Sequence, residues 1–178
     1  MAEEQGQESR GEAREPHVDP AEVQFALQQL RSQQSLVAGL GAGGLAAAVG
    51  AALWAAITVF TGYQIGWMAV GVGFLVGLAV RAAGKGIDPV FGVLGACLSL
   101  LGCAAGNLLA VCGLAAQQES MAFLEVFSRL DADVVRQLMV ATFSPMDLLF
   151  YGIALYEGYK LSFRQLAPDE LSRLLPGR

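Results

Sequence analysis

Three stretches of the chain carry no charged residue: Leu36 to Phe60, Ile65 to Val80, and Val90 to Ala116. A helix needs roughly 20 apolar residues to cross about 30 Å of hydrocarbon. The first and third stretches meet that length. The second is shorter, but Tyr63 and Trp67 are placed to sit at one interface while Arg81 snorkels to the other. A soluble helical protein with a large core is the alternative, and it fails on length, because it has no need of uninterrupted apolar runs this long. Composition points the same way. Of the 178 residues, 54% are hydrophobic and 15% charged, with a mean hydropathy of +0.50, whereas soluble domains hold roughly 45–50% apolar and about 25% charged residues.

Between the first two stretches, Thr61-Gly62-Tyr63-Gln64 leaves room only for a tight hairpin, so these helices are expected to be antiparallel neighbours. A fourth stretch, Met139 to Tyr159, is interrupted by Ser144, Pro145, Asp147 and Glu157. Two readings are open. A continuous kinked span would place Asp147 deep in the bilayer, at a cost of roughly 2.5–3.5 kcal/mol on insertion scales. Alternatively Ser144 caps a new helix with Pro145 at its first position and Asp147 at its third, a capping box with Asp in place of Glu. The second reading accounts for three residues by one mechanism, keeps the carboxylate near the interface, and is preferred.

Charge asymmetry supports a fourth span. With the N-terminus inside, nine basic residues (Arg10, Arg14, Arg31, Arg81, Lys85, Lys160, Arg164, Arg173, Arg178) fall on the cytoplasmic side and only Arg129 and Arg136 outside. Without the fourth span the count becomes five against six, which no longer obeys the positive-inside rule. Between spans three and four, residues 118–143 form an amphipathic segment with Leu124, Phe127, Leu130, Val134 and Leu138 at helical spacing. Such a segment lies on a membrane surface or caps a bundle. Asp131-Ala132-Asp133 is expected to divide it into two short helices.

The net charge of −5 sits in the first 22 residues, where seven acidic side chains face two basic ones. Residues 1–19 therefore read as a disordered acidic tail. No basic patch speaks for nucleic acid. The polar start also lacks the organisation of a cleavable signal peptide, so the first apolar stretch is expected to stay as a membrane anchor. Asp19-Pro20-Ala21-Glu22 carries a helix-start signature. A juxtamembrane helix over 20–35 follows, with Val23, Leu27 and Leu30 as a narrow apolar line, read as an extension of the first span or a weak self-association helix. Residues 166–178 form a cytoplasmic tail.

Helix association in lipid relies on close backbone approach across small residues. Gly39, Gly43, Ala47, Ala51 and Ala55 recur at intervals of four in the first span. Ala69, Gly73 and Gly77 do so in the second, and Gly95, Ser99 and Cys103, with Gly102 and Gly106 one step around, in the third. These faces serve either the interior of one compact bundle or a seam between subunits.

Few residues suggest chemistry. The single histidine, His17, lies in the tail, which excludes a histidine metal cluster, a haem ligand pair or a serine-histidine triad within the membrane. Cys97, Cys103 and Cys112 lack metal or disulfide spacing and read as small buried hydrophobes. Gly84-Lys85-Gly86 fails the phosphate-loop pattern at two defining positions and reads as a flexible turn. Asp147 is the leading candidate, since intramembrane carboxylates mark ion and proton pathways. Asn107 is suited to hydrogen bonding across helices. Glu157 and Lys160 are expected to pair locally at the cytoplasmic end, and Phe150, Tyr151, Tyr156, Tyr159 and Phe163 to form an interfacial belt.

The run Thr61-Gly-Tyr-Gln-Ile-Gly-Trp-Met-Ala-Val-Gly-Val-Gly-Phe-Leu-Val-Gly continuing through Arg81 and Gly84-Lys85-Gly86, together with Asp147-Leu-Leu-Phe-Tyr-Gly-Ile-Ala and Tyr156-Glu-Gly-Tyr-Lys, resembles an uncharacterised family of small bacterial polytopic membrane proteins. The resemblance covers about residues 36–164. It implies a bacterial cytoplasmic membrane and supplies no activity. The zinc-ribbon module that some members carry ahead of the membrane part is not expected here, because no cysteine precedes Cys97.

The expected fold is all-α, a four-helix transmembrane domain over residues 36–165 with spans near 36–60, 65–80, 90–116 and 145–163, both termini cytoplasmic. The expected role is that of a structural or accessory subunit packing with itself or a larger complex in the lipid bilayer. A small transporter or channel using Asp147 is the alternative, and a membrane enzyme ranks last. No cofactor is called for.

Overall fold

The computed structural model describes residues 20–142 and 144–164, and the described residues contain seven α-helices and no strand. The acidic tail and residues 166–178 lie outside the described residues. Residues up to Leu30 belong to a unit separate from the bundle of residues 31–165. That first unit contributes most of α1 (Pro20–Ser32).

The juxtamembrane helix is neither as long as expected nor continuous with the first span. Helix α1 stops at Ser32, and Ser35 starts α2 (Leu36–Thr61) afresh, its Oγ accepting the Ala38 N–H at 3.2 Å. A serine in extended backbone is a strong N-cap, and the helix breaks where one is available. Gly62, at φ +70°, ends α2 in the left-handed conformation that glycine adopts without strain, its N–H donating to Thr58 O at 2.8 Å. Helices α3 (Trp67–Gly84) and α4 (Pro89–Gln118) follow, then the short α5 (Phe123–Ser128) and α6 (Ala132–Thr142), then α7 (Pro145–Leu161). Helices α5 and α6 are separated at Arg129–Asp131, where Asp131 Oδ1 accepts the Val134 N–H at 2.8 Å and starts α6.

Helices α2, α3 and α4 are each long and apolar enough to cross a membrane. Their outward faces carry the large apolar side chains, among them Val37, Leu45, Phe60, Phe74 and Leu101, all exposed. The interior is made instead of Ala46, Ala47, Ala69, Val72, Val76, Val80 and Ala154 around Trp54 and Phe91. Large apolar groups outside and small ones inside is the reverse of a water-soluble bundle, and it suits lipid, where close packing rather than apolar burial holds helices together.

Small residues also set the helix order. A Cβ placed on Gly43 would fall 2.5 Å from Val80 and 2.7 Å from Leu98, and one on Gly106 would fall 3.0 Å from Trp54. Helix α2 therefore runs parallel to α4 and antiparallel to α3. Helices α3 and α4 pack on each other, and α2 and α7 each pack on both. A Cβ on Gly73 would strike the Ala154 backbone, and one on Gly95 the Ser162 side chain and the Gly158 carbonyl. Two backbones cannot approach this closely across any residue with a side chain. All seven glycines singled out as packing residues (Gly39, Gly43, Gly73, Gly77, Gly95, Gly102, Gly106) are buried inside this one bundle.

The turn between α3 and α4 departs from expectation. Lys85, not either flanking glycine, takes the left-handed conformation, at φ 48°. Gly84 and Gly86 are needed for space, because a Cβ on either would run into the Phe91 ring.

Candidate functional site

Helix α7 brings Asp147 to its own N-terminus. The Asp147 carboxylate accepts the Ser144 N–H at 2.8 Å, and Ser144 Oγ accepts the Met146 N–H at 3.1 Å. This is the capping box expected from Ser144-Pro145-Asp147, and it commits the carboxylate to a backbone donor. Ser144→Ala is expected to lower stability by about 1 kcal/mol. Asp147→Asn, whose amide oxygen still accepts that N–H, is expected to cost less, and chemical or thermal unfolding of both variants in lipid checks the order.

Glu157 and Lys160 do not form the expected pair. The Lys160 ammonium instead sits 5.3 Å from the centroid of the Tyr156 ring, one turn earlier on the same helix. The aromatic belt is also only partly present. Tyr156 is exposed, but Phe150, Tyr151 and Phe163 pack against the core. Cys103 and Cys112 are buried free thiols, as expected, whereas Cys97 is exposed on the outer face of α4.

The polar groups that the structure does bring together run from the middle of the bundle to its Thr61 end. Thr58, Ser99 and Asn107 are all buried. The inward face of α4 carries Ser99, Cys103 and Asn107 at intervals of four, one beneath the next. Asn107 Oδ1 accepts a hydrogen bond from Gln64 Nε2, which reaches in from the α2–α3 turn. Tyr151 of α7 donates its hydroxyl to the Cys103 carbonyl at 3.3 Å and meets the Trp54 ring edge to face, centroids 6.5 Å apart. Trp54 Nε1, Thr58 Oγ1 and Ser99 Oγ are buried without a hydrogen-bond partner.

The opposite end of the bundle is tied by a different set. Arg31 pairs with Asp88 at 3.2 Å, and the other Asp88 oxygen accepts from Gln34 Nε2 at 3.0 Å. The Ser35 N–H donates to Gly84 O at 3.0 Å, and the Arg164 N–H to Gly86 O at 2.9 Å. These residues fasten the start of α2 and the end of α7 to the α3–α4 turn. A shallow depression of about 230 Å³ between Arg31, Asp88, Leu36 and Phe91 opens beside them.

Sequence reasoning placed Gln64 only in a turn and Tyr151 in an interfacial belt, and it missed Trp54 and the small-residue line of α7, Ala154, Gly158 and Ser162. That line has the same interval of four found in the first three spans and was open to the same test. Among the described residues no group of three or more His, Cys, Asp or Glu side chains is placed to hold a metal ion. Comparison with known proteins gives no matching family model, curated protein or solved structure.

Proposed function

We propose that the chain is a four-span protein of the bacterial cytoplasmic membrane, with both termini cytoplasmic, that serves as a structural or accessory subunit. The observation that carries the fourth span is the match in extent between α7 and α3. Phe150 lies against Gly66 at one end, Trp67 and Phe150 rings are 5.5 Å apart, and Arg164 bonds to Gly86 at the other. A helix of 17 residues covers roughly 25 Å. With Ser144 and Asp147 capped at one end and Lys160 able to snorkel at the other, that length is compatible with crossing. The nine-to-two distribution of basic residues favours the same topology.

The subunit role rests on what fills the interior. Val72, Val76 and Val80 are buried in the core, and α4 and α7 approach to backbone contact at Gly95 and Gly158. With its small-residue faces used internally, the bundle offers partners its outer apolar faces. Crosslinking in native membranes is expected to capture the chain with a second copy or a larger membrane protein; recovery of monomer alone would overturn the role. The alternative, a transporter or channel using Asp147, predicts loss of flux in Asp147→Asn. Engagement of that carboxylate by the Ser144 N–H predicts none.

A further inference from the structure

The depression where α2 and α4 begin joins two kinds of surface. Arg31, Gln34 and Asp88 line one part of it, and Leu36, Val90 and Phe91 the rest. Leu36 and Val90 are half-exposed and stand in the first turns of helices long and apolar enough to cross a membrane. The depression therefore lies where hydrocarbon gives way to headgroups. Arg31 and Asp88 are paired, yet 62% of the arginine side chain and 37% of the aspartate remain exposed. A guanidinium has five N–H donors and a carboxylate about four acceptor sites, so both keep bonding capacity on their open sides. An ion pair this exposed contributes little to stability. The turn is in any case held by the Ser35 N–H on Gly84 O and by Gln34 on Asp88.

We propose that this depression is a binding site for a phospholipid whose zwitterionic headgroup carries a primary amine. The phosphate is held by the Arg31 guanidinium, the ammonium donates to the Asp88 carboxylate, and the acyl chains run past Leu36 and Val90. Charge complementarity selects this occupant, because the site offers one cation and one carboxylate side by side. A purely anionic headgroup would bring a like charge to Asp88, and a metal cation would bring one to Arg31. A trimethylated ammonium has no N–H for the carboxylate to accept. A water-soluble zwitterion would leave the apolar wall of Leu36 and Val90 unused. The site requires only that α2 and α4 cross the membrane, so it stands apart from the fourth span and from the accessory role.

Native mass spectrometry of the full-length protein in detergent tests the site, with phosphatidylethanolamine, phosphatidylcholine and phosphatidylglycerol of identical acyl chains as probes. Phosphatidylethanolamine is expected to bind roughly tenfold more tightly than either of the others, the worth of one charge-assisted hydrogen bond. Asp88→Asn keeps an oxygen for Gln34 and is expected to turn the preference towards phosphatidylglycerol, since Arg31 then has no carboxylate beside it. Arg31→Gln is expected to weaken all three lipids, and Arg31→Lys to restore the wild-type order. Equal binding of the three lipids by the wild-type protein, a wild-type preference for phosphatidylglycerol, or a phosphatidylethanolamine preference unchanged by Asp88→Asn would overturn the site.

Discussion

Alanine at Gly73 is expected to push α3 away from α7 and to destabilise the bundle by about 1–2 kcal/mol. The added Cβ would lie 2.5 Å from the Ala154 carbonyl oxygen and 2.7 Å from its Cα. Both are backbone atoms, which cannot rotate aside as a side chain does. Overpacking costs roughly 1–3 kcal/mol. Alanine's better helix propensity returns up to about 1 kcal/mol and leaves a net loss. Gly71 provides the control, since it lies in the same helix two residues away, and a methyl group there would meet no atom within 4 Å. Gly71→Ala should be neutral or more stable by up to about 1 kcal/mol. Reversible unfolding in bicelles compares them directly, and a Gly73→Ala protein as stable as Gly71→Ala would refute the close α3–α7 contact. Leucine at Gly73 should release α7 altogether.

Phe91→Ala is expected to cost about 3 kcal/mol, the low end of the range for Phe→Ala in protein cores. Phe91 is 2% exposed and fills the space against Gly39, Gly84 and Gly86 at the end of the bundle held by Arg31 and Asp88. The low end applies because lipid, unlike water, solvates a phenyl ring well, so the lost cavity contacts dominate over transfer. The same unfolding measurement checks the loss. A secondary sign is non-additivity: Gly84→Ala should cost less in the Phe91→Ala background, where the two ring atoms that its Cβ would strike are gone. A near-neutral Phe91→Ala would mean that the hydrogen bonds of the α3–α4 turn hold that end without the ring.

The first three long helices were legible because an uninterrupted apolar run has few other solutions, and their small-residue faces because interval-four spacing maps directly onto one side of a helix. The start of α7 was legible for a local reason, as Ser144, Pro145 and Asp147 form a cap within four residues. What stayed hidden depends on contacts between segments distant in sequence. Gln64 reads as a turn residue until the turn is folded back onto Asn107, 43 positions away. Tyr151 reads as an interfacial aromatic until α7 is packed against α4, which turns it inward. Lys160 had two neighbours of comparable reach, Glu157 and Tyr156, and spacing alone does not choose between them. The end of α1 at Ser32 escapes a reading of the sequence because Ser35 fits inside a continuing helix as well as at the cap of the next.

Both the subunit role and the orientation depend on α7 crossing the membrane. Single cysteines placed at Ser35, Ser128 and Arg164, in a background with Cys97, Cys103 and Cys112 replaced by alanine, can be labelled in intact cells with an impermeant maleimide before and after permeabilisation. Four spans with cytoplasmic ends predict that position 128 labels from outside, while positions 35 and 164 label only after permeabilisation. Labelling of position 164 from outside together with position 128 would contradict the account, leaving three spans and α7 on the outer side.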